Sequence, residues 1–566
     1  MNLRTRRIIY RSAAALVYGA LPFAAYAQAA ATNADSTAGG YALGVGDIIV
    51  TAQKRAETVN QVGMSISALS GDTLARQGIT SVDQLVKAVP GFNYTRTVYG
   101  SPVFTLRGIG FNETTLAAAP TVSIYLDEVP LPYSPMAQGV TLDAERVEVL
   151  KGPQGTLFGQ NSTGGAINYV AAKPTKELTA GFDLTYGRFD QIETGGFISG
   201  PLGETVRARL AVRKEYAGDW QRSATRPGDS MGSVDRVQAR LLVDWDATER
   251  LRLSLNLNGW KDNSDPQAAQ FVGPLSPRAP AALQNARRTW NSARLADWDP
   301  ATNFYTNDDF WQIAGRADYD VDDTTKVTWI GAYEHFRRDT FVDADGTPIQ
   351  NFAALSRGFI KTLTQELRVA GQIADSIDWI AGANYQHDKA RDVVQPRSAV
   401  ASTPFRVATI VAFNSADTYA AFGNVDWKIV SGISLTGGLR YTRQNRSFSG
   451  CLYDSGAGDL AAVVSARSTQ LSGTPTMIAP GGCVTLNAVT FKPGVYEDDL
   501  NEDNLSWKAG VNWQLDPRTL LYGSVSRGYK NGVFVTTGAT FAAQLAPVKQ
   551  ESVLAYELGF KLGLLN

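Results

Sequence analysis

From Glu177 onward the chain alternates apolar and polar residues with the two-residue period of strands. In Arg236–Asp246, RVQARLLVDWD, one face carries Val237, Ala239, Leu241, Val243 and Trp245, and Leu251, Leu253, Leu255 and Leu257 alternate after a short Asp-Ala-Thr-Glu turn. The pattern predicts a hairpin with an apolar face. It recurs at 310–319 with 325–336, at 362–370 with 377–385, at 419–427 with 433–441, and at 505–513 with 519–529. Connections such as DVDDTTK and QLDPRT are short, whereas those around 261–307 and 448–502 are long. Short turns at one end and long loops at the other are the polarity of an outer-membrane β-barrel.

Upstream, residues 57–175 are mixed. Ser65–Leu69 predicts a strand and Asp72–Gln77 a short helix stopped by Gly78. A second helix is expected after Ser81, with Gln84 closing a capping box, Val82, Leu85, Val86 and Val89 on one face, and Pro90-Gly91 ending it. Phe104–Gly110, FTLRGIG, and Val122–Val129, VSIYLDEV, predict strands. In Leu142–Pro174 a strand with Val147 and Val149 alternating against Arg146, Glu148 and Lys151 runs into a loop marked by Gly152, Pro153, Gly155 and Gly159. Gly164 and Gly165 then precede a second strand at Ile167–Val170. A phosphate loop would need a Lys followed by Ser or Thr at a helix start, which is absent.

Composition narrows the compartment. The 53 basic and 54 acidic side chains nearly cancel, which leaves nucleic acid without a basic surface to bind. Arg4, Arg6, Arg7 and Arg11 precede an apolar run from Ala13 to Ala25 that ends Ala-Tyr-Ala, the form of a secretory signal cleaved after Ala27. Beyond it no apolar run reaches the roughly 20 residues of a membrane-spanning helix, so a membrane protein of this composition would cross with strands. Residues 28–46 are rich in Ala, Thr, Gly and Ser and predict a flexible tether. The two cysteines, Cys451 and Cys483, lie in a Gly/Ser/Ala-rich insert of an exported chain and are expected to form one loop disulfide. Two histidines, His335 and His387, in strand-like surroundings supply little for a zinc or haem site, and no catalytic Ser/His/Asp signature stands out. No enzyme, cofactor or metal is expected.

The run ERVEVLKGPQGTLFG followed by TGGAIN closely resembles the end of the plug domain of TonB-dependent outer-membrane receptors. LRGIG around Arg107, with Gly108, and the segment YLDEVP resemble plug motifs, and TQELRVAG, LTGGLRYT, LLYGSVSRGYKNG and AYELGFK resemble barrel strands of the same family. Asp47–Gln53, DIIVTAQ (Asp47, Ile48, Ile49, Val50, Thr51, Ala52, Gln53), resembles the TonB box, which would offer its backbone to a partner's sheet edge. The alternative is a first plug strand. The resemblance implies a mainly β protein: a signal peptide (1–27), a flexible segment with the box (28–56), an α/β plug (57–175) and an antiparallel barrel (176–566). Too few residues precede the box for an N-terminal signalling domain.

The same resemblance implies that Arg107, Glu145 and Arg146 latch the plug to the barrel wall, with ion pairs inside the plug as the alternative. Tyr94, Tyr99 and Phe111 become candidate ligand contacts near the plug apex, core packing being the competing role. Implied partners are TonB with its inner-membrane energising complex, outer-membrane lipid, and a ferric siderophore or another bulky nutrient. A passive plugged porin or adhesin is the alternative function.

About 14 strand candidates stand against about 22 in large plugged transporters. A plug of about 120 residues is ~35 Å across. A wall of 22 strands encloses ~44 Å and one of 14 only ~28 Å. The expectation from sequence is therefore an incomplete barrel and a truncated or fragmentary family member, inferior as a transporter unless the remainder is supplied elsewhere, with a fragment that no longer transports as the alternative.

Overall fold

In the computed structural model, residues 48–563 are described except 275, 278 and 399–405. The signal peptide, the tether and Asp47 lie outside these residues. No described helix is long and apolar enough to cross a membrane, which leaves β-strands unaddressed.

One antiparallel sheet forms the wall. Its fourteen successive strands follow sequence order: β1 (Thr179–Gly187), β2 (Gln191–Pro201), β3 (Val206–Ala217), β4 (Val234–Asp246), β5 (Leu251–Asp262), β6 (Asp308–Asp320), β7 (Lys326–Asp343), β8 (Ala353–Ile373), β9 (Ile377–Arg397), β10 (Ala408–Val430), β11 (Ile433–Asp454), β12 (Tyr496–Asp516), β13 (Thr519–Lys530) and β14 (Glu551–Leu562). A short strand, Tyr305–Thr306, adds to β7. Each long strand pairs with the next, with register shifts only at Lys428/Val430 and Gln514/Asp516 beside two of the short turns, and among the described residues β1 and β14 pair on one side only. The period-2 pattern sorts the faces as expected. On β10, Tyr419, Val425 and Trp427 are exposed while Ala420, Phe422 and Asn424 are buried.

The plug is built on a five-stranded sheet, in the order Ile66–Ser70, Ala144–Lys151, Gly165–Ala171, Val122–Leu126 and Val129–Leu131. The ERVEV strand and the strand after the glycine loop pair in antiparallel register, Val149 facing Ile167 and Val147 facing Tyr169. They sit at the centre of the sheet, with Val147, Val149, Ile167 and Tyr169 fully buried on one face and Leu150 and Ala166 buried beside Glu148 and Asn168 on the other. The plug core continues into the wall, where inward Trp260, Phe310, Phe336 and Ile360 join Leu126, Leu131 and Met136.

Several expectations change. The helix after Ser81 is a 3-10 helix, Val82–Lys87, without a side-chain cap from Ser81. Gln84 instead accepts the Thr80 amide at 2.8 Å. FTLRGIG is a hairpin, Pro102–Leu106 returning as Ile109–Gly110 through Arg107 (φ 51°) and Gly108 (φ 81°). VSIYLDEV likewise breaks at Asp127 (φ 51°) and Glu128 (φ 69°), and Val129–Leu131 folds back. Alternation alone does not register a two-residue turn with left-handed backbone, since only the Gly of the first hairpin advertises it. The described part of the segment assigned as flexible is packed. Ile49–Val50 pairs with Glu57–Thr58, and Val50, Ala52 and Gln53 are buried.

Candidate functional site

The two ends of the wall differ. Short turns join β4 to β5, β6 to β7, β8 to β9, β10 to β11 and β12 to β13 at one end, and the long connections lie at the other. The long connection after β11 is closed by a disulfide between Cys451 and Cys483 and holds a helix, Asp459–Ser472. Leu460, Ala461 and Val464 of that helix pack on Ile410 and Leu452 at the strand ends, so this loop is a folded structure of its own.

The box segment lies at the short-turn end. Arg55 pairs there with Asp426 and, at 3.9 Å, with Asp378 beside the β8–β9 turn. Within the segment, the Thr51 amide donates to Glu148 Oε1 (2.9 Å), its hydroxyl bonds the same carboxylate, and Asn168 Nδ2 donates to Thr51 Oγ1 (3.2 Å). Glu148 belongs to the ERVEV strand, is fully buried, and also accepts from Arg146 Nε (2.8 Å). The segment is therefore hydrogen-bonded to the very run that marks the plug.

Just beyond it, charges converge. Lys54 Nζ lies 2.7 Å from Glu366 of β8 and over the Phe422 ring. Arg368, two residues along β8 on the same inward face, reaches Glu366 at 3.0 Å and Glu128 at 2.6 Å. Glu128, at the tip of its plug hairpin, also receives Arg316 of β6 at 3.0 Å, and Arg316 turns to Asp318 at 2.6 Å. Burial opposes charge on Glu128, yet the guanidiniums of Arg368 and Arg316 overcome it and hold the carboxyl below its usual range. Burial lowers the Lys54 ammonium, with Glu366 opposing. Three cations and three carboxylates thus tie two plug segments to two wall strands. Glu57 nearby is different: burial, against the pull of Arg55, pushes its carboxyl up to about 7.

Of the expected latch residues, Arg107 meets the wall, with Nη1 3.0 Å from Glu557 of β14. Glu145 and Arg146 are a correction. Arg146 pairs with Glu145 (2.5 Å) and Glu148 (2.8 Å), both in the plug, because buried Glu148 two residues along the same strand face requires the nearest cation. The glycine motif serves close approach. A Cβ at Gly155 would stand 2.7 Å from Ser506 of β12, and Gly159 (φ 82°) lies against the Arg440 guanidinium of β11. Gly152 and Pro153 open that loop, and Gly164 and Gly165 end it where the Gly164 amide donates to Thr121.

The candidate ligand residues take packing roles. Tyr94 meets Phe104 edge-on at 5.9 Å, Tyr99 is buried against Val342 and Ala354 of the wall, and Phe111 lies under Lys530 Nζ at 3.9 Å. Tyr99 also borders a cavity of about 310 Å³ at the long-loop end, lined by Arg96, Gln138, Arg236, Asp262 and Asp308. Arg236 and Gln138 both hold Asp262, at 2.9 and 2.8 Å. The ionic cluster around Glu128 was missed from sequence, although one signal existed. In TQELRVAG, Glu366 and Arg368 alternate with outward Leu367, so both charges point inward.

A plug seated on an inward polar wall, with long loops at one end and short turns at the other, defines a plugged outer-membrane-type barrel. Comparison with known proteins agrees. The model for "TonB dependent receptor-like, beta-barrel" matches residues 244–566 and that for "TonB-dependent Receptor Plug Domain" residues 58–166. The chain belongs to the TonB-dependent receptors. It is 26% identical over 533 residues to the pesticin receptor of Yersinia pestis, covering 90% of this chain and 67% of that one. The ferripyoverdine receptor of Pseudomonas aeruginosa is 28% identical over 265 residues, 45% of this chain and 30% of its own. Among solved structures, the ferric yersiniabactin uptake receptor of Yersinia pestis superposes with a TM-score of 0.70 at 18% identity, over 88% of this chain and 70% of that one. These relatives are transport receptors rather than enzymes.

Proposed function

We propose that this chain is an outer-membrane receptor for active uptake of a scarce, bulky ligand of the ferric siderophore class, energised by TonB acting on Asp47–Gln53. The relatives' names, a ferripyoverdine receptor and a ferric yersiniabactin uptake receptor among them, support the ligand class. The observation that carries the reading is the position of residues 48–55 at the short-turn end, fastened to the plug by Thr51 and to the wall by Lys54 and Arg55. A pull on this segment first opens the hairpin between Ile49–Val50 and Glu57–Thr58, then strips Glu148 of its Thr51 bonds. The load next reaches Lys54 and Glu366, and through Arg368 the Glu128 hairpin. Ligand held under the long loops would pass where the plug gives way. No covalent chemistry is required of the protein.

Growth of a receptor-deletion strain expressing this chain, on a panel of ferric chelates as sole iron source, tests the ligand class. The same strain expressing the chain without residues 47–53 tests the energy source. Growth on at least one chelate that vanishes with the deletion is expected. Uptake that persists without the segment would establish the passive plugged porin instead.

A further inference from the structure

The seam between β12 and β13 is only half closed. The two strands pair from Asp516 and Thr519 up to Trp507 and Arg527 and no further, although β12 continues to Tyr496 alongside β11 and β13 to Lys530 alongside β14. Continuing the same register would set Ser506 opposite Gly528 and Leu505 opposite Tyr529. Neither rung forms.

The plug takes the place of the missing rungs. The Asn161 amide donates to the Tyr529 carbonyl at 2.8 Å, and its side-chain Oδ1 accepts from the Asn531 amide at 3.1 Å. In a strand the carbonyl of one residue and the amide two residues on face the same neighbour. Because β14 stays paired on the other side of β13, these are the groups that β12 would use. Asn161 can reach both because its backbone is left-handed (φ 70°), a conformation Asn tolerates, and because Ser123 Oγ donates to its own carbonyl at 2.8 Å. The side chain is thereby left free to act as the second partner of the wall.

The glycine loop presses on the same place. A Cβ on Gly155 would stand 2.7 Å from Ser506 Oγ and 3.3 Å from Gly528 Cα, and one on Gly528 would stand 3.0 Å from Pro153 Cβ. Around it the wall is incompletely satisfied: Ser506 Oγ and Asn531 Oδ1 are buried without a hydrogen-bond partner among the described residues, a condition native interiors rarely tolerate. Above the two missing rungs, Gln550 Nε2 donates to the Asp503 carbonyl at 2.8 Å and covers the β12 edge. Any further pairing is limited to those two rungs.

We propose that Asn161 is a positioning residue that holds β13 away from β12 while the plug is seated, and that the seam zips by two rungs, Ser506 with Gly528 and Leu505 with Tyr529, when the plug is displaced. The inference rests on the transport reading, which supplies the displacement. Zipping occupies the Tyr529 carbonyl, so the plug cannot reseat until the seam parts again. The displaced state thereby gains a lifetime of its own.

The test traps the zipped seam as a disulfide. Leu505→Cys with Tyr529→Cys places two outward side chains on the second rung, and zipped strands bring their Cα atoms within the ~4.4–6.8 Å that a disulfide spans. Ala509→Cys with Val525→Cys, on a rung already paired, reports that the wall is folded. In the full chain purified in detergent and oxidised with copper phenanthroline, the control pair should close at once and the Leu505/Tyr529 pair slowly. Asn161→Gly, which keeps the left-handed turn and removes the acceptor, should speed the slow pair about 5- to 10-fold, and Asn161→Asp, which keeps the acceptor, should leave it slow. In cells supplied with a chelate that supports growth, the slow pair should close faster in the chain with residues 47–53 than in the chain without them. Closure of the Leu505/Tyr529 pair as fast as the control in the resting chain, or equal rates for the native residue and Asn161→Gly, would overturn the role of Asn161. Equal rates in cells with and without the segment would overturn zipping if growth still depends on the segment, and would overturn the transport reading if it does not.

Discussion

The plug meets the wall in two different ways at its two ends. Toward the long loops apolar packing leads the contact, with the Gln138–Asp262 hydrogen bond (2.8 Å) beside it: Trp260 of β5 stacks near Phe310 and Phe336, at 6.1 and 5.9 Å, and donates its indole N–H to Met136 of the plug at 3.2 Å. Toward the short turns an ionic chain, running from Lys54 through Glu366, Arg368 and Glu128 to Arg316, is added to the packing of Val50, Ala52 and Val62 with Ile380 and Phe422 of the wall. Apolar contact is non-directional and survives small displacements. An ion pair buried from water depends on geometry and leaves costly bare charges when one partner moves away. A plug built this way is anchored firmly under the loops and released by steps where it is pulled.

The sharpest break in this comparison is Trp260→Ala. Removing a buried tryptophan that a plug backbone leans on should cost about 3–5 kcal/mol. Hydrogen exchange should show lost protection in Ser134–Gly139, beside which Trp260 packs, with Val50–Gln53 unchanged. Equal loosening at both ends would mean that the plug responds as one rigid unit and that the two contacts do not act separately.

Glu128→Gln attacks the other end. It leaves Arg316 and Arg368 facing only Asp318 and Glu366, and the cost should be ~3 kcal/mol, at the low end for a broken buried pair because those carboxylates remain. Protease cleavage within residues 48–56 should accelerate while exchange at Ser134–Gly139 stays as it was. Loss confined to the apex would reverse the assignment of the two contacts.

How legible these two contacts were in the sequence differs as much as their chemistry. The wall was readable strand by strand, since a barrel writes each strand as alternation and each end as a turn, and the hairpins expected at 419–427 with 433–441 and at 505–513 with 519–529 lie within β10 with β11 and β12 with β13. The apolar contact was partly readable, since Val122–Val129 and the ERVEV strand look buried in isolation. The ionic contact was not. Its members come from residues 54, 128, 316, 366 and 368, and what joins them is strand register across a wall, which no local pattern contains. Glu128 was hidden further by the turn it occupies: a tip residue at φ 69° looks like the continuation of a strand. Arg107 was found because its motif is a family hallmark, whereas Glu145 and Arg146 were assigned to the wall for the same reason and stay within the plug.

A smaller effect separates the box hairpin from both contacts by pH. Burial pushes the folded carboxyl of Glu57 up to about 7, above its usual 4.5, and Arg55 only partly offsets that. A raised acid favours the folded hairpin when protonated. The stabilisation is therefore fully present below about 4.5 and is lost as pH rises through about 7. The change should be on the order of 2 kcal/mol. Between pH 5 and 8, amide protection at Val59, which donates to Ile48 O at 3.0 Å, corrected for intrinsic exchange, should fall in the native chain and stay level in Glu57→Gln. A parallel fall in the variant would assign the dependence to another group.

The smallest effect is expected where the family resemblance points most directly. Arg107 meets Glu557 at 3.0 Å, but its side chain is 42% exposed, and Glu557 also accepts from the Ser65 amide (2.9 Å) and the Tyr522 hydroxyl (2.8 Å). A pair half open to water contributes about 0–1 kcal/mol, and a carboxylate with two other donors is not stranded when the third is removed. Arg107→Ala should therefore shift plug exchange by no more than ~1 kcal/mol, whereas Glu557→Ala, which takes an acceptor from three donors at once, should shift it more. Measured side by side, a larger loss for Arg107→Ala would move the principal latch from the Glu128 cluster to β14, and the ionic end of the plug would then be held from the opposite side of the wall.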